Sequence, residues 1–487
     1  MYDLLALSPY DTIKNGHKVP IFNVHGSKII AHGRMTEEEI YEDLKADADA
    51  IRSAKVYETL VTFLLQSKEL LYDTAFLKSA LRRIRNAYQY KELWPLCNQV
   101  LEKMSMIEKE VKSIIPKNTK FLGKGSYGCV VKPALPNRID HQWKMYPDDV
   151  SKLFRDEIDA KEAVDKAAFW VSATGNAGQA MHKQHRVYRS NELPEKVKAT
   201  CELPDEENLY VARMPNLGVS LNNVESILES VRSIPFPIIL QQIGKLFSQV
   251  GIMHEKDYVH GDIRTPNIMI DPTSGTMTLI DFDWFYQKDE FFEQYSEAFG
   301  TYYNPPESLL KANIEDALRK RIPLYANENV ETMKLYVRHT QDMYERIGIP
   351  FTANIVHEAN INNIQLFSGI VHMGQYYEIL FETFDSYSLS LVILDFLTFV
   401  YPYKKPLKDI LLNGTTPYTE KEIYGIERTV QQLYNILFQA ISLKIIDRLS
   451  LQDILLNMDA LIRGFSSAAS GGKTRKKRSH AKTTRRR

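Results

Sequence analysis

The sequence predicts an α+β chain: a helical N-terminal region, a strand-rich stretch, and a longer helix-rich stretch. Three observations carry this. Apolar residues recur at helical spacing between residues 36 and 115. After Pro116 the pattern changes to β-branched and small residues around glycines, in FLGKGSYGCVVKPAL. From Phe236 helical periodicity returns and holds to about Ile462.

The N-terminal stretch opens with Thr36 and Glu39, spaced as a capping box ahead of Ile40, Leu44 and Ile51. Leu60, Leu64 and Leu71 continue it, then Leu101, Met104, Ile107 and Val111, with Pro95 and Pro116 as punctuation. No catalytic constellation lies here, so residues 1–115 read as a helical accessory domain. The glycine-containing stretch after Pro116 predicts two strands and a tight turn. A charged helix is expected from Phe154 to Ser172, polar loops with short elements over 173–207, and a strand in YVARMPNLGVSL leading into a Gly-containing connector. The terminal SSAASGGKTRKKRSHAKTTRRR is Ser/Gly-rich and then basic, and reads as disordered over 465–487.

Composition narrows the class. The 487 residues are 44% hydrophobic and 25% charged, close to an average globular protein. A chain this long can bury large cores, which excludes a disulfide-stapled miniprotein and wholesale disorder. Cys97, Cys129 and Cys201 are few, odd in number and without zinc spacing. They read as ordinary core or strand residues in a reducing compartment, with no disulfide framework. The most apolar stretch, Leu389 to Tyr401, is too short to span a bilayer and carries Asp395. The N-terminal MYDLLALSPYD lacks a basic n-region. The expectation is an intracellular protein with no membrane attachment. Net charge is zero, yet nine basic and no acidic residues lie between Lys473 and Arg487, leaving 52 basic against 61 acidic elsewhere. A polyanion such as nucleic acid is the expected partner of residues 473–487, with a solvated tail or import signal as the alternative.

Three motifs carry chemistry. Gly123, Gly125 and Gly128, with Ser126 between them and Val130 after, spell GxGxxGxV. Such glycines let backbone N–H groups approach phosphate oxygens. A dinucleotide-binding turn would need a helix directly afterwards; strand-like CVVK follows instead, which favours a flap between two strands over that turn. An ordinary Gly-rich hairpin remains the alternative. Next, in YVHGDIRTPNIMI, Asp262 and Asn267 stand five residues apart between a helix and a short apolar strand. Phosphoryl transfer needs a carboxylate to orient a hydroxyl and a hard oxygen ligand for Mg²⁺. Finally, Asp281 ends the apolar run LID, 14 residues after Asn267, where it can offer Mg²⁺ a second oxygen donor.

Taken together over residues 117–463, these motifs resemble eukaryotic-type protein kinases. The resemblance implies a two-lobed protein kinase-like fold: a small β-rich lobe at 116–221, and a large α-helical lobe at 222–464 with an insertion at about 308–384. It implies ATP and Mg²⁺ as cofactors and a protein Ser/Thr hydroxyl as acceptor. Asp262 matches the catalytic-loop Asp, Asn267 the metal-binding Asn, and Asp281 the Asp of DFG. Arg264 stands where a Lys usually contacts the transferred phosphate. Pro305-Pro306-Glu307 resembles APE, Asp385-Ser-Tyr-Ser-Leu the helix start whose Asp braces the catalytic loop, and Asp447-Arg448 the late region whose Arg pairs with the APE Glu. A Glu307–Arg448 bridge is therefore expected. The chain as a whole, including the Lys/Arg tail after a double Gly, is similar to Ser/Thr kinase-like proteins of large DNA viruses of eukaryotes, which would place it in host cytoplasm or a virion.

The resemblance leaves some positions open. The nucleotide Lys is Lys152 or Lys144; Val150, two residues before Lys152, fits the small apolar place better than Gln142. Its helix partner is Glu162, with Glu157 as second choice. The adenine hinge falls in Arg213 to Leu217, around Met214. Gly261 replaces the usual Arg of HRD, and Asp283 the Gly of DFG. Without that Arg, a phosphate on the segment from Asp283 to Asn304 is not required for order, and Thr301, Tyr302 and Tyr303 serve packing or docking. Small-molecule kinases share HGD-x4-N but usually lack the PPE and late Asp-Arg matches. A pseudokinase scaffold is the third possibility, opposed by the presence of every metal ligand.

Overall fold

The computed structural model describes residues 9–14, 17–24, 27–30, 81, 94–124, 128–139, 142–175, 179–184, 187–204, 208–294, 303–321, 341, 344–348, 353–402, 406–408 and 418–480. These fall into two compact units. The first comprises Met1–Asp165 and Ala180–Asn216, and the second Lys166–Gln179 and Leu217–Arg487. The chain is mixed α and β, as the sequence predicts.

The first unit begins with strands, not helices. β1 (Pro9–Lys14), β2 (His17–Val24) and β3 (Ser27–Ile30) form an antiparallel sheet in that order. This corrects the all-helical reading of residues 1–115: HKVPIFNV and SKII are rich in β-branched residues. The expected helical positions from Thr36 to Leu71 lie outside the described residues. Helix α1 (Trp94–Ile114) follows. Its Val100, Met104 and Val111 are buried in one core with Cys129, Val131, Leu153, Leu209 and Val211 of the main sheet. The helix is therefore part of the β-rich unit, and the boundary drawn at residue 115 cuts through a single core.

The main sheet contains β4 (Lys120–Lys124), β5 (Gly128–Lys132), β8 (Asp149–Phe154), β9 (His182–Lys183), β10 (Tyr188–Arg189) and β11 (Asn208–Pro215). Its antiparallel order is β10-β11-β8-β5-β4, with β9 paired to β11. β6 (Ala134–Ile139) and β7 (Gln142–Tyr146) form a separate hairpin. Helix α2 (Glu157–Thr174) starts in this unit, and α3 (Glu195–Thr200) precedes β11. Residues two apart on a strand share a face. Leu153 thus faces the α1 core, while Phe154 packs with Ala160, Ala163 and Ala212 on the other side.

Cys129 and Cys201 are joined by a disulfide, with Cα atoms 6.0 Å apart. This overturns the expectation of three free cysteines. The fold brings together two residues separated by 72 positions, a proximity that spacing along the chain does not reveal. Cys97 remains a buried free thiol.

The second unit is helical, with short strands that hold loops. β12 (Val219–Ser220), β14 (Ile268–Ile270) and β15 (Met277–Leu279) form one small sheet, and β13 (Tyr258–Val259) pairs with β16 (Tyr286–Gln287). The helices are α4 (Leu228–Ser233), α5 (Phe236–His254), α6 (Lys288–Gln294), α7 (Lys311–Lys320), α8 (Ala353–Phe367), α9 (Met373–Val400), α10 (Glu420–Ala440) and α11 (Leu451–His480). By length and composition α9 could cross a membrane; 89% of its most apolar window is buried in the protein, packed against α5, α6, α10 and α11. Among the described residues between 308 and 384 lie α7, α8 and the start of α9. α11 continues to His480, into the stretch read as a disordered tail. Ala, Lys and Arg there are good helix formers, which outweighs Gly471 and Gly472.

Candidate active site

In the first unit, β4 and β5 are the strands flanking the glycine motif. Gly123 has open space where a Cβ would stand. Gly128 does not: a Cβ there would lie 1.9 Å from the Leu153 carbonyl oxygen, so only glycine fits this approach of β5 to β8. Gly125 and Ser126 lie outside the described residues. Val130 is opposite Lys152 on β8, and Lys152 is opposite Ala212 on β11. Lys152 is 7% exposed, with its Nζ 5.3 Å from the Phe154 ring centroid. Lys144, by contrast, is exposed on the β6–β7 hairpin outside the main sheet. The burial separates the two lysines in a way that spacing could not. Asp159 on α2 is held above its usual carboxylate range, chiefly by burial, with the Glu162 charge raising it and the Lys152 charge lowering it. Lys152 and Glu162 thus both lie near enough to Asp159 for their charges to act on it. Glu157 is engaged elsewhere, 2.6 Å from Lys183 Nζ. Met214 lies opposite Val150 near the end of β11.

In the second unit, the loop between β13 and β14 carries His260 to Asn267. Asn267 donates Nδ2 to the Asp262 carbonyl at 2.9 Å and to Asp262 Oδ2 at 2.7 Å. Arg264 Nε lies 3.1 Å from the same Oδ2. The loop is held from outside by Asp385 on α9, which accepts the His260 N–H at 2.8 Å and the Gly261 N–H at 3.1 Å. His254 Nε2 lies 3.3 Å from Asp385 Oδ2. Burial pushes Asp385 upward, but His254, His260 and the His260 N–H more than offset this and leave it below its usual range. Gly261 sits at φ +76°, and a Cβ on it would meet Phe291 Cε2 at 2.2 Å. The residue is glycine because neither the backbone angle nor the space admits a side chain.

Asp262 itself is pushed up to about 6, first by burial, with Asp281 and Asp283 raising it and Arg264 and Asn267 lowering it. A carboxyl at that value is ionised at neutral pH and still basic enough to take a hydroxyl proton. Asp281 has φ +66°, the left-handed conformation that Asp tolerates better than most residues. Asp283, which stands where the motif usually has Gly, is not among the residues with positive φ. Asp283 lies within the 3-10 turn Phe282–Trp284 and needs no such angle. Its carbonyl accepts a 2.7 Å bond from Lys166, whose Nζ also stands 3.5 Å over the Tyr286 ring. Phe282 packs on Trp170, with ring centroids 4.8 Å apart. Gln179 ties the two sides together, accepting from Trp170 Nε1 and donating to the Leu279 carbonyl.

Arg448 holds Glu307 with both guanidinium nitrogens, one of them at 3.1 Å, and both side chains are essentially fully buried. Thr383 Oγ1 also donates to Glu307, at 3.3 Å. The bridge expected from the motifs is therefore present. Sequence reasoning missed Trp170, Gln179, Lys166 and Ser220, whose Oγ donates to the Thr265 carbonyl at 3.1 Å. Each acts through a distant contact, and only the aromatic spelling of Phe169-Trp170 hinted at it.

No protein-family model matches the chain. The amino-acid sequence is similar, at a distance, to Ser/Thr protein kinases. Human serine/threonine-protein kinase MRCK beta is 26% identical over 280 residues, covering 56% of this chain and 14% of that protein. Its mouse counterpart gives the same figures, and the rat protein is 26% identical over 254 residues. The chain thus matches about a seventh of the length of these curated relatives. The similarity supports a kinase-like relationship over about half the chain.

Proposed function

We propose that the protein is a kinase-like phosphotransferase that moves the ATP γ-phosphate to Ser/Thr hydroxyls of proteins, in a two-lobed kinase-like fold. The observation that carries this reading is Asp262: a buried carboxylate, bonded by Asn267, paired with Arg264, raised by Asp281, on a loop braced by Asp385. In this reading Asp262 orients the acceptor hydroxyl and accepts its proton. Arg264 offsets charge on the transferring group. Lys152, supported by Glu162, steadies the nucleotide phosphates, with Gly123, Gly125, Ser126, Gly128 and Val130 covering them and Met214 beside the adenine. Catalysis would rest on positioning and electrostatics.

The donor chemistry fits Mg²⁺. Asn267 spends its Nδ2 on Asp262, which leaves its Oδ1 as a hard oxygen donor, and Asp281 adds a carboxylate. Among the described residues no group of three or more His, Cys, Asp and Glu could hold a metal. That is compatible with Mg²⁺, which binds through one or two carboxylates and substrate phosphates. When bound, Mg²⁺ would neutralise charge on the phosphates.

The Glu307–Arg448 bridge supports a protein acceptor over a small molecule, since it belongs to the part of the resemblance that small-molecule kinases usually lack. The viral sub-family reading rests on the overall look of the sequence, including the tail, and no comparison supports it. Polyanion binding through residues 473–487 is part of the proposal, and deleting 471–487 should abolish salt-dependent retention on heparin. Intracellular residence is likewise proposed, but the cysteine count no longer argues for it, because two of the three cysteines are joined. The deciding test is γ-phosphate transfer from ATP, with and without Mg²⁺, to casein and myelin basic protein.

A further inference from the structure

Thr265 stands three residues after Asp262 and two before Asn267, and is 5% exposed. Its Oγ1 lies 3.0 Å from the hydroxyl of Tyr303, which is also 5% exposed. Tyr303 comes from a different segment, and that segment is fixed. Residues 303–308 are all buried. Glu307 is held by Arg448 and Thr383. Its carbonyl accepts a 2.8 Å bond from Tyr376 on α9. Ser308 closes back on the Pro305 carbonyl through both its N–H, at 3.0 Å, and its Oγ, at 2.7 Å.

From this geometry we infer that Tyr303 is a positioning residue for Asp262. It carries the rigidity of the Glu307–Arg448 anchor to the catalytic loop through the Thr265 hydroxyl. The physical argument is leverage. Asp262 takes its orientation from Asn267, and Thr265 lies on the short turn between them. The N-terminal end of the loop is held by Asp385; in the middle, Ser220 holds the Thr265 carbonyl and Tyr303 the Thr265 side chain. Gly261 braces the loop through its N–H on Asp385 and not through a side chain, which would run into Phe291. Losing this buried hydroxyl–hydroxyl bond removes the tie between the Thr265 side chain and the anchored segment, while the Ser220 contact to the Thr265 carbonyl stays. A small misplacement of a catalytic carboxylate is costly in rate while leaving nucleotide binding intact.

This inference rests on the proposed phosphotransfer reading. The test measures transfer from ATP to myelin basic protein by full-length wild type, Tyr303→Phe, Thr265→Val, Thr265→Ser, the Tyr303→Phe/Thr265→Val double variant and Asp262→Asn, with melting temperatures alongside. Tyr303→Phe and Thr265→Val should each lower kcat about tenfold or more, with KM for ATP within about twofold and melting little changed. The double variant should be no worse than either single one, since both remove the same bond. Thr265→Ser, which keeps the hydroxyl, should restore kcat. Wild-type kcat in both single variants, or losses that multiply in the double variant, would overturn the inference. If Tyr303→Phe fails to fold, Thr265→Val and its serine rescue decide. Retained transfer by Asp262→Asn would instead overturn the phosphotransfer reading; a dead Asp262→Asn beside a fully active Tyr303→Phe overturns only the role of Tyr303.

Discussion

Arg448 and Glu307 face each other as a bidentate pair, 141 residues apart in sequence and shielded from solvent on every side. The guanidinium also stands 4.8 Å from the Tyr387 ring, and the hydroxyl of Tyr387 is bonded to that of Tyr344. Tyr344 lies between Glu307 and Asp385 in the chain, so this stretch is fastened to the same buried anchor as the segment beside the catalytic loop.

Breaking that pair from one side should be severe. Arg448→Met leaves Glu307 buried without its counter-charge, and a loss of about 3–5 kcal/mol is expected. Glu307→Gln/Arg448→Met should recover much of it, because no lone charge remains. Chemical denaturation of the three proteins checks this; a single variant as stable as wild type would refute it.

The disulfide should matter to the first unit. Cys129 directly follows Gly128, and Cys201 precedes Glu202, which is ion-paired to Lys124 on the neighbouring strand. Cys129→Ser/Cys201→Ser should lose about 2–4 kcal/mol. Thiol labelling under denaturing conditions should find one free cysteine before reduction and three after. Three free thiols before reduction would contradict the assignment.

The carboxyl of Asp262 gives a signed pH effect. Its folded value of about 6 exceeds the ordinary 3.8, so the folded protein binds this proton more tightly than the unfolded chain. That contribution is fully present below pH ~4 and is lost as pH rises through about 6. At pH 7.5, with EDTA present, Asp262→Asn should therefore be more stable than wild type, by roughly 1–3 kcal/mol. The difference should shrink at pH 4. Thermal melts at both pH values decide it, and a destabilised variant at pH 7.5 would contradict the electrostatics.

Gly261→Ala tests the steric reading of the loop. The added methyl meets Phe291 and a left-handed backbone angle together, so a loss of about 1–3 kcal/mol is expected, with reduced transfer. Phe291→Ala in the same background should relieve part of the activity loss. An Ala variant with wild-type melting would show that the loop has room to spare.

The order of elements and the loop residues were legible because they depend on local patterns. Glycine spacing, the Asp262–Asn267 interval and the apolar run before Asp281 are all written within a few residues. Even the distant Glu307–Arg448 bridge could be read, since the resemblance tied those two motifs together. Other features needed the fold. The strands of residues 9–30 are short and were overshadowed by the helical periodicity that follows them. Alternation favours Lys152 over Lys144 through Val150, but that Lys152 is buried in the main sheet and Lys144 exposed on a separate hairpin needed the fold. The left-handed angle at Asp281 was not legible, because motif comparison sees residue types and not dihedrals. The Cys129–Cys201 bond and the Thr265–Tyr303 contact arise only when segments far apart in sequence meet.

The most direct test of the central claim is transfer of radiolabelled γ-phosphate from ATP to myelin basic protein by wild type and Asp262→Asn in parallel. Wild type should transfer label only with Mg²⁺, and the label should be recovered on Ser or Thr. Asp262→Asn should still be stabilised against heat by Mg²⁺ and ATP, yet lose transfer by at least about a hundredfold. Near-normal transfer by Asp262→Asn, or no transfer by wild type that binds Mg²⁺ and ATP, would contradict the account.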